Sequence, residues 1–529
     1  MTQERLGNEN NRNRVIVGTR QEDRRESTSY DEVLYRSKPF SPTAVSSLEA
    51  RAMLWGLNPV PAKKARVLEL GCSMGGNLIA QAIEHPMGTY VGIDLAEQQV
   101  DIGNEIIRTI GLDNIRLEAK NIMDIDSEFG TFDYVIVHGI WSWVPDTVKD
   151  KIFEICRVNL SKQGIAYISY NTLPGWKRMS QTRDFMLYAT RNDTDKSLMD
   201  RTHKGLGAIK LLQELISNSN TLSKRQSWKL RDIKNLFDHM PYYIAHEYFE
   251  DINDPVYVSD FIAMAKEHGL AHVGDTEFTL NCISYMQEDM QKRMEILSEG
   301  SFTDKLQMLD FYHDTQFRRS MLCHGELEKD LLLHEEFKIS TLNRLYYSSN
   351  TNLSDWKDSA YLWEQALVNL CRNQSTFTIN DVVEEAKALA TEPLDLGEVY
   401  PLVLRFLFMD LITAHSEPLH HNPFVEGVST VPAMLANYVE TVVMKGASPY
   451  IQLADSFNQT IEGCNEGHVF VMKELATPKT WDALCKKAEQ VLQVHRYHLD
   501  TGEKSPMTIR EALEEFMLDL TRMGFLRNE

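Results

Sequence analysis

The sequence predicts an α/β protein: a doubly wound, mostly parallel sheet of seven strands with a helical insertion, followed by mostly α C-terminal domains. Three observations predict it. From Arg66 to Tyr170, short apolar runs of period two alternate with amphipathic stretches of helical period. The first run, Val67 to Leu70, passes directly into a glycine turn (Gly71, Gly75, Gly76) and then a helix, the outline of a βα unit. Beyond Leu331 the strand signal gives way to amphipathic helices with Ser or Thr at their starts.

In chain order, the second strand ends at Asp94 and is followed by a helix over Ala96 to Ile110. A third strand covers Ile115 to Ala119 and a fourth Phe132 to Val137, then a helix Lys149 to Leu160 and a fifth strand Gly164 to Tyr170. From Gln181 to about Asn235 the period is purely helical, which reads as an insertion. Val258 to Thr276 returns to helix then strand, and Arg319 to His324 is expected to complete the sheet with an antiparallel edge. Helices are expected over Phe377 to Ala388, Trp481 to Val494 and Thr508 to Leu520, with a short terminal strand Gly524 to Leu526, a pattern that suits a winged-helix-like end. The length of 529 residues is enough for about three or four domains at ~150 residues each. The expected divisions are a mobile 1–28, a lid or cap 29–65, a sheet domain 66–330 with its insertion at about 181–257, a middle helical domain 331–425 and the end domain 426–529.

Composition narrows the partners. With 76 acidic against 55 basic residues the formal charge is −21, which disfavours a phosphate-tracking surface, so nucleic acid is not an expected partner. The 7 cysteines are widely spaced with no C-x-x-C pair, as in a reducing compartment. The polar N-terminus has no apolar core of a leader, and the apolar stretch 400–414 is interrupted by Arg405 and Asp410, so a cytoplasmic protein without membrane insertion is expected. Among 16 histidines there is no H-E-x-x-H and no Cys/His cluster, so no catalytic metal is indicated.

The chemistry concentrates between Arg66 and Asp94. Glycines let a backbone approach a ligand, the helix after them offers free N–H groups, and an acid at the tip of the second strand can accept from both hydroxyls of a ribose. A pyrophosphate is disfavoured, because the turn Gly71-Cys72-Ser73-Met74-Gly75-Gly76 is not G-x-G-x-x-G and Glu69 puts a carboxylate beside it. That acid suits a ligand with a cationic end. The E-x-G-x-x-x-G pattern resembles motif I of class I S-adenosylmethionine methyltransferases.

A closer resemblance rests on SYDEVLYRSKPF (29–40), ELGCSMGGNLI (69–79), HGIWSWVPD (138–146), SYNTLPGW (169–176) and HEYFEDINDPVYVSDFIAMAKEHGL (246–270). In this order they resemble the bacterial methyltransferases with a methyltransferase regulatory domain, the group that includes the rickettsial protein lysine methyltransferases. The resemblance implies a seven-stranded class I methyltransferase sheet, S-adenosylmethionine as cofactor, a homodimer, and a protein substrate with a lysine acceptor, an outer-membrane or surface protein in the rickettsial members. A small-molecule methyltransferase and a regulatory protein that binds the cofactor without turnover are the alternatives.

On this reading Glu69, Gly71, Gly75 and Asn77 surround the methionine part of the cofactor and Asp94 takes the ribose. Ile122 and Asp124 flank the adenine, with Asn121 competing for the same place and Asp124 alternatively an exposed turn acid. Ligands of such sheets sit past the strand ends, which brings in His138, Trp141 and Trp143 after the fourth strand and Tyr170, Asn171 and Trp176 after the fifth. His138 is a candidate base or a cofactor-orienting group, Tyr170 and Asn171 are catalytic candidates, and the tryptophans with Tyr170 form an aromatic acceptor wall or else ordinary packing. Tyr30 resembles part of the family's N-terminal lid, an ordinary helix being the alternative. His246 and Glu247 are placed near the acceptor entrance.

Overall fold

The structure, a computed structural model, describes residues 36–193, 195–218, 229–231, 233–234, 236–237, 240–349, 361–373, 376–419, 421–492, 495–497 and 504–528. Its centre is a 7-stranded sheet: β1 (Arg66–Leu70), β2 (Thr89–Asp94), β3 (Ile115–Ala119), β4 (Phe132–Val137), β5 (Leu160–Asn171), β6 (Leu270–Asp275) and β7 (Phe317–His324), in the order β3-β2-β1-β4-β5-β7-β6. The first five strands are parallel, and β7 runs antiparallel between β5 and β6. The antiparallel strand therefore lies one place inside the edge, and β6 is the edge strand. β5 begins earlier than its apolar run suggests because Leu160 pairs with Phe132 across an irregularity in the ladder, and the preceding helix, Asp146–Val158, is correspondingly shifted.

Period-two alternation divides the sheet cleanly. Val67, Tyr90, Tyr134, Ile136, Ile165, Tyr167, Met321 and Cys323 face one core, while Leu68, Leu70, Val91, Ile93, Val135, Val137, Ala166, Ile168, Tyr170 and Leu322 face the other. The second face is covered by helices Asp146–Val158 and Val258–Glu267. The first continues without a break through helix Val45–Leu54 into the C-terminal half, so that Leu48 and Val67 share one apolar cluster with Phe406, Val439 and Leu526. A buried ion network, Arg318 between Asp310 and Asp275, ties β7 to helix Phe302–His313 and β6. All three side chains are fully excluded from solvent, where removing one partner would strand a charge.

The insertion has its own core. Helices Trp176–Ala189, Leu198–Ser217 and Pro241–Phe249 bury Met186, Ile209, Ile216, Ile244 and Phe249 together. Its apolar face is thus partly satisfied within the chain, while Leu211 and Leu215, one turn apart on the outer side, are 57% and 64% exposed.

In the C-terminal half, Thr378 and Thr508 close reciprocal capping boxes with Asp381 and Glu511, so helices Ile379–Leu389 and Ile509–Arg522 start where their Thr residues indicate. The pair β8 (Tyr346–Ser349) and β9 (Ile412–His415) adds a strand ladder to the expected middle helical region, β10 (Leu453–Ala454) and β11 (Thr460–Ile461) form a short antiparallel pair, and β12 (His495–Tyr497) pairs with β13 (Lys504–Pro506) as a wing. The terminal strand expected at Gly524 to Leu526 is not formed; the backbone there makes one bridge, Arg527 to Thr430. Among the described residues no helix is long and apolar enough to cross a membrane.

Candidate active site

The glycine turn is built for approach and reversal. Gly71 and Gly75 have φ of 76° and 77°, left-handed values a glycine adopts without penalty, and Gly75 caps helix Gly76–Glu84. Between them Ser73 N donates to Asp94 Oδ2 at 2.8 Å, and Ala96 N donates to Oδ1 at 3.0 Å. The acid at the tip of β2 is therefore aimed by backbone, and each carboxylate oxygen can accept more than one hydrogen bond. Glu69, inside β1, is 3% exposed. Its Oε1 accepts from Asn77 Nδ2 at 2.8 Å, while its buried Oε2 has no hydrogen-bond partner among the described residues. Burial, opposed by the Asn77 bond and reinforced by the Asp94 charge, pushes the Glu69 carboxyl up to about 8. An orphaned buried acceptor beside a glycine turn, with a second carboxylate at the neighbouring strand tip, fits a ligand carrying an ammonium group at one end and a ribose at the other.

Asn77 has a different place from the one its sequence position suggests. It is 3% exposed, and its Oδ1 accepts from Phe40 N, Thr43 Oγ1 and Asn458 Nδ2 at 2.9, 3.0 and 2.8 Å. It braces Glu69 and the incoming chain rather than presenting its carbonyl to a ligand. At the end of β3, Asn121 caps a 3-10 turn through Met123 N, Ile122 is half-buried against the second core, and Asp124 is exposed. Tyr30 lies outside the described residues.

At the end of β4 the His138 ring lies 3.8 Å from that of Phe40, and its Nδ1 is 3.0 Å from Tyr167 Oη. Burial, with the Arg319 and Lys38 cations nearby, pulls the imidazole down to about 3, so it is neutral and a weak base. Trp143 is half-buried and meets Trp176 edge to face at 6.5 Å, an indole pair past the ends of β4 and β5. Asn171 is buried, its Nδ2 3.4 Å from Asn253 Oδ1. Trp141 and Tyr170 are not where an acceptor wall requires them. Trp141 is 0% and Tyr170 1% exposed, both packed on Phe261 in the second core, with Tyr170 Oη at 3.1 Å from Ser320 Oγ. The reason is strand parity: Tyr170 projects with Ala166 and Ile168, whereas Tyr167 shares the opposite face with Val67, two residues from Glu69. In the insertion, His246 is buried and lies 3.0 Å from Glu250. Glu247 beside it is half-buried, and burial pushes its carboxyl up to about 7.

Several further residues complete this region. Ser37 Oγ accepts from Gly76 N at 2.9 Å, Phe40 covers His138, Gln99 Oε1 accepts from Ser73 Oγ at 2.7 Å, and Asn458 reaches in from the C-terminal half. Each depends on a contact distant in sequence.

Fold and glycine turn together define a class I methyltransferase, with S-adenosylmethionine as the cofactor. Comparison with known proteins agrees. Residues 61–218 match the family model described as a methyltransferase domain, 240–324 that of a predicted methyltransferase regulatory domain, and 422–507 that of a winged helix domain. The uncharacterized protein RP789 of Rickettsia prowazekii is 37% identical over 301 residues, 56% of this chain and 53% of that protein. The chain therefore spans about half the length of that relative. The uncharacterized protein RP028 of the same organism is 36% identical over 241 residues, 45% of this chain and 94% of that protein. The structure of PKMT2 from Rickettsia typhi superposes with a TM-score of 0.76 at 21% identity, covering 92% of this chain and 99% of that one, and its complex with AdoHcy gives 0.75 at 22%. The chain belongs to the bacterial methyltransferases with a methyltransferase regulatory domain.

Proposed function

We propose that the chain transfers methyl groups to the side-chain nitrogen of protein lysines. The observation that carries this reading is the Trp143–Trp176 pair at the carboxyl ends of β4 and β5, where this class of sheet places its acceptor. Trp176 is buried behind the half-buried Trp143, whose indole can cover the aliphatic stem of a lysine and whose face favours a cation. Bound S-adenosylmethionine supplies an electrophilic methyl group on a sulfonium. The residues of this chain then have to hold donor and acceptor in line, exclude water, and leave the amine neutral for attack.

Neutral His138 is unsuited to taking the ammonium proton. The name PKMT2 of the structural neighbour supports the same substrate class. The test is incubation of the chain with methyl-labelled S-adenosylmethionine and a bacterial envelope fraction, followed by peptide mass spectrometry. Label on lysine nitrogens is expected; label confined to small molecules would sink the lysine reading.

A further inference from the structure

We propose that Asn458, a residue of the C-terminal half, is a positioning residue for the cofactor. It holds Asn77, and through Asn77 the Glu69 carboxylate, in the orientation that receives the α-ammonium group of S-adenosylmethionine. The proposal rests on the cofactor pocket and is independent of which acceptor is methylated.

Asn458 is 3% exposed and sits at φ 58° in a turn. Asp455 braces that turn, its Oδ1 accepting from Phe457 N and Gln459 N at 2.9 and 2.8 Å. The Asn458 amide nitrogen donates to Asn77 Oδ1 at 2.8 Å and to Phe40 O at 3.1 Å. Asn77 in turn donates to Glu69 Oε1 at 2.8 Å, which leaves Oε2 as the carboxylate atom available to a ligand. The direction of each bond is dictated by chemistry. Because the backbone Phe40 N can only donate, Asn77 must present its oxygen there and its nitrogen to Glu69, and Asn458 supplies a further donor to that oxygen. An amide flip at Asn77 would aim an acceptor at the carboxylate and lose all three bonds at Oδ1.

The same domain grips the rest of the motif. Ser37, whose hydroxyl caps Gly76 N, is held on both sides by backbone bonds, Ser37 N to Tyr450 O and Gln452 N to Ser37 O, each 2.9 Å. At the far end of helix Gly76–Glu84, Glu84 accepts from Ser456 Oγ at 2.7 Å and pairs with Arg527 at 3.0 Å. The left-handed turn alone would be served by glycine at 458. A buried amide whose nitrogen is aimed at Asn77 of the cofactor motif and at the Phe40 carbonyl that packs on it serves orientation.

The experiment is calorimetric titration of the full chain with two ligands: S-adenosylhomocysteine, and 5′-methylthioadenosine, which keeps the adenosine and sulfur but lacks the amino-acid end. The variants are Asn458→Gly, which retains the left-handed turn, and Asn458→Asp, which keeps the shape but replaces the donor with an acceptor. Both should bind S-adenosylhomocysteine about tenfold more weakly, as expected for one lost buried hydrogen bond, while methylthioadenosine affinity stays within about twofold. Unchanged S-adenosylhomocysteine binding overturns the proposal. So does an equal loss for both ligands, or loss of all binding, since either shows Asn458 supporting the fold alone. If the unmodified chain binds neither ligand, the cofactor pocket itself fails, a distinct outcome.

Discussion

Replacing Glu69 with Gln should make the ligand-free protein more stable and its cofactor binding worse, and the pH dependence of the first effect can be worked out from the site. Burial raises the Glu69 carboxyl from its ordinary 4.5 to about 8. A group raised in the folded state contributes stability that is fully present below its unfolded value and is lost as pH rises toward its folded value. The wild-type chain therefore loses stability at Glu69 between about pH 4.5 and 8, while a glutamine does not titrate. At pH 7 the interval from 4.5, at ~1.36 kcal/mol per pH unit, amounts to about 3 kcal/mol in favour of Glu69→Gln, an upper bound because the new amide nitrogen is itself buried. The difference should vanish near pH 4 and level off above pH 8. Denaturant unfolding of both proteins without ligand, at several pH values, reads it directly. S-adenosylhomocysteine affinity should fall roughly 10- to 100-fold in the variant, because a charge-assisted hydrogen bond is lost. A variant that is less stable than wild type at pH 7, or a difference flat with pH, would refute the assignment of Glu69 as a buried carboxyl kept for a cationic ligand.

Trp143→Ala should depress methyl transfer while leaving S-adenosylhomocysteine affinity within about threefold, because an acceptor-side contact acts in the transition state; steady-state rates beside calorimetry show the split, and joint loss of binding and stability would make Trp143 ordinary packing. The exposed pair Leu211 and Leu215 on the insertion is proposed as the contact for a second copy of this chain, so sedimentation at micromolar concentration should show a dimer that Leu215→Glu dissociates. A monomeric wild type would remove that assignment.

How much of this was legible in the sequence follows from where the signals lie. The seven strands are readable because alternation and βα punctuation are local, as at Val67 to Gly71. The insertion of β7 between β5 and β6 is a non-local pairing that no run of residues encodes. Glu69 and Asp94 announce themselves by strand and turn. Tyr170 and Trp141 both stand near strand ends, Tyr170 inside the end of β5 and Trp141 past β4, although parity already separates Tyr170 from Tyr167: odd and even positions of β5 face different cores. Asn77 carries a polar side chain at the start of the motif helix, but its partners Phe40 and Asn458 are fixed only when three distant segments meet. The winged-helix-like end was suggested by Thr-led helices, whereas its wing comes from β12 and β13 rather than from Gly524 to Leu526.

The most direct test of the pocket is calorimetric titration of S-adenosylhomocysteine into the wild-type chain and into Asp94→Ala. One binding site per chain is expected in the wild type, with affinity reduced by about 1–3 kcal/mol in the variant as a hydroxyl acceptor aimed by Ser73 N and Ala96 N is lost. No binding by the wild type, or wild-type affinity in Asp94→Ala, would contradict the account.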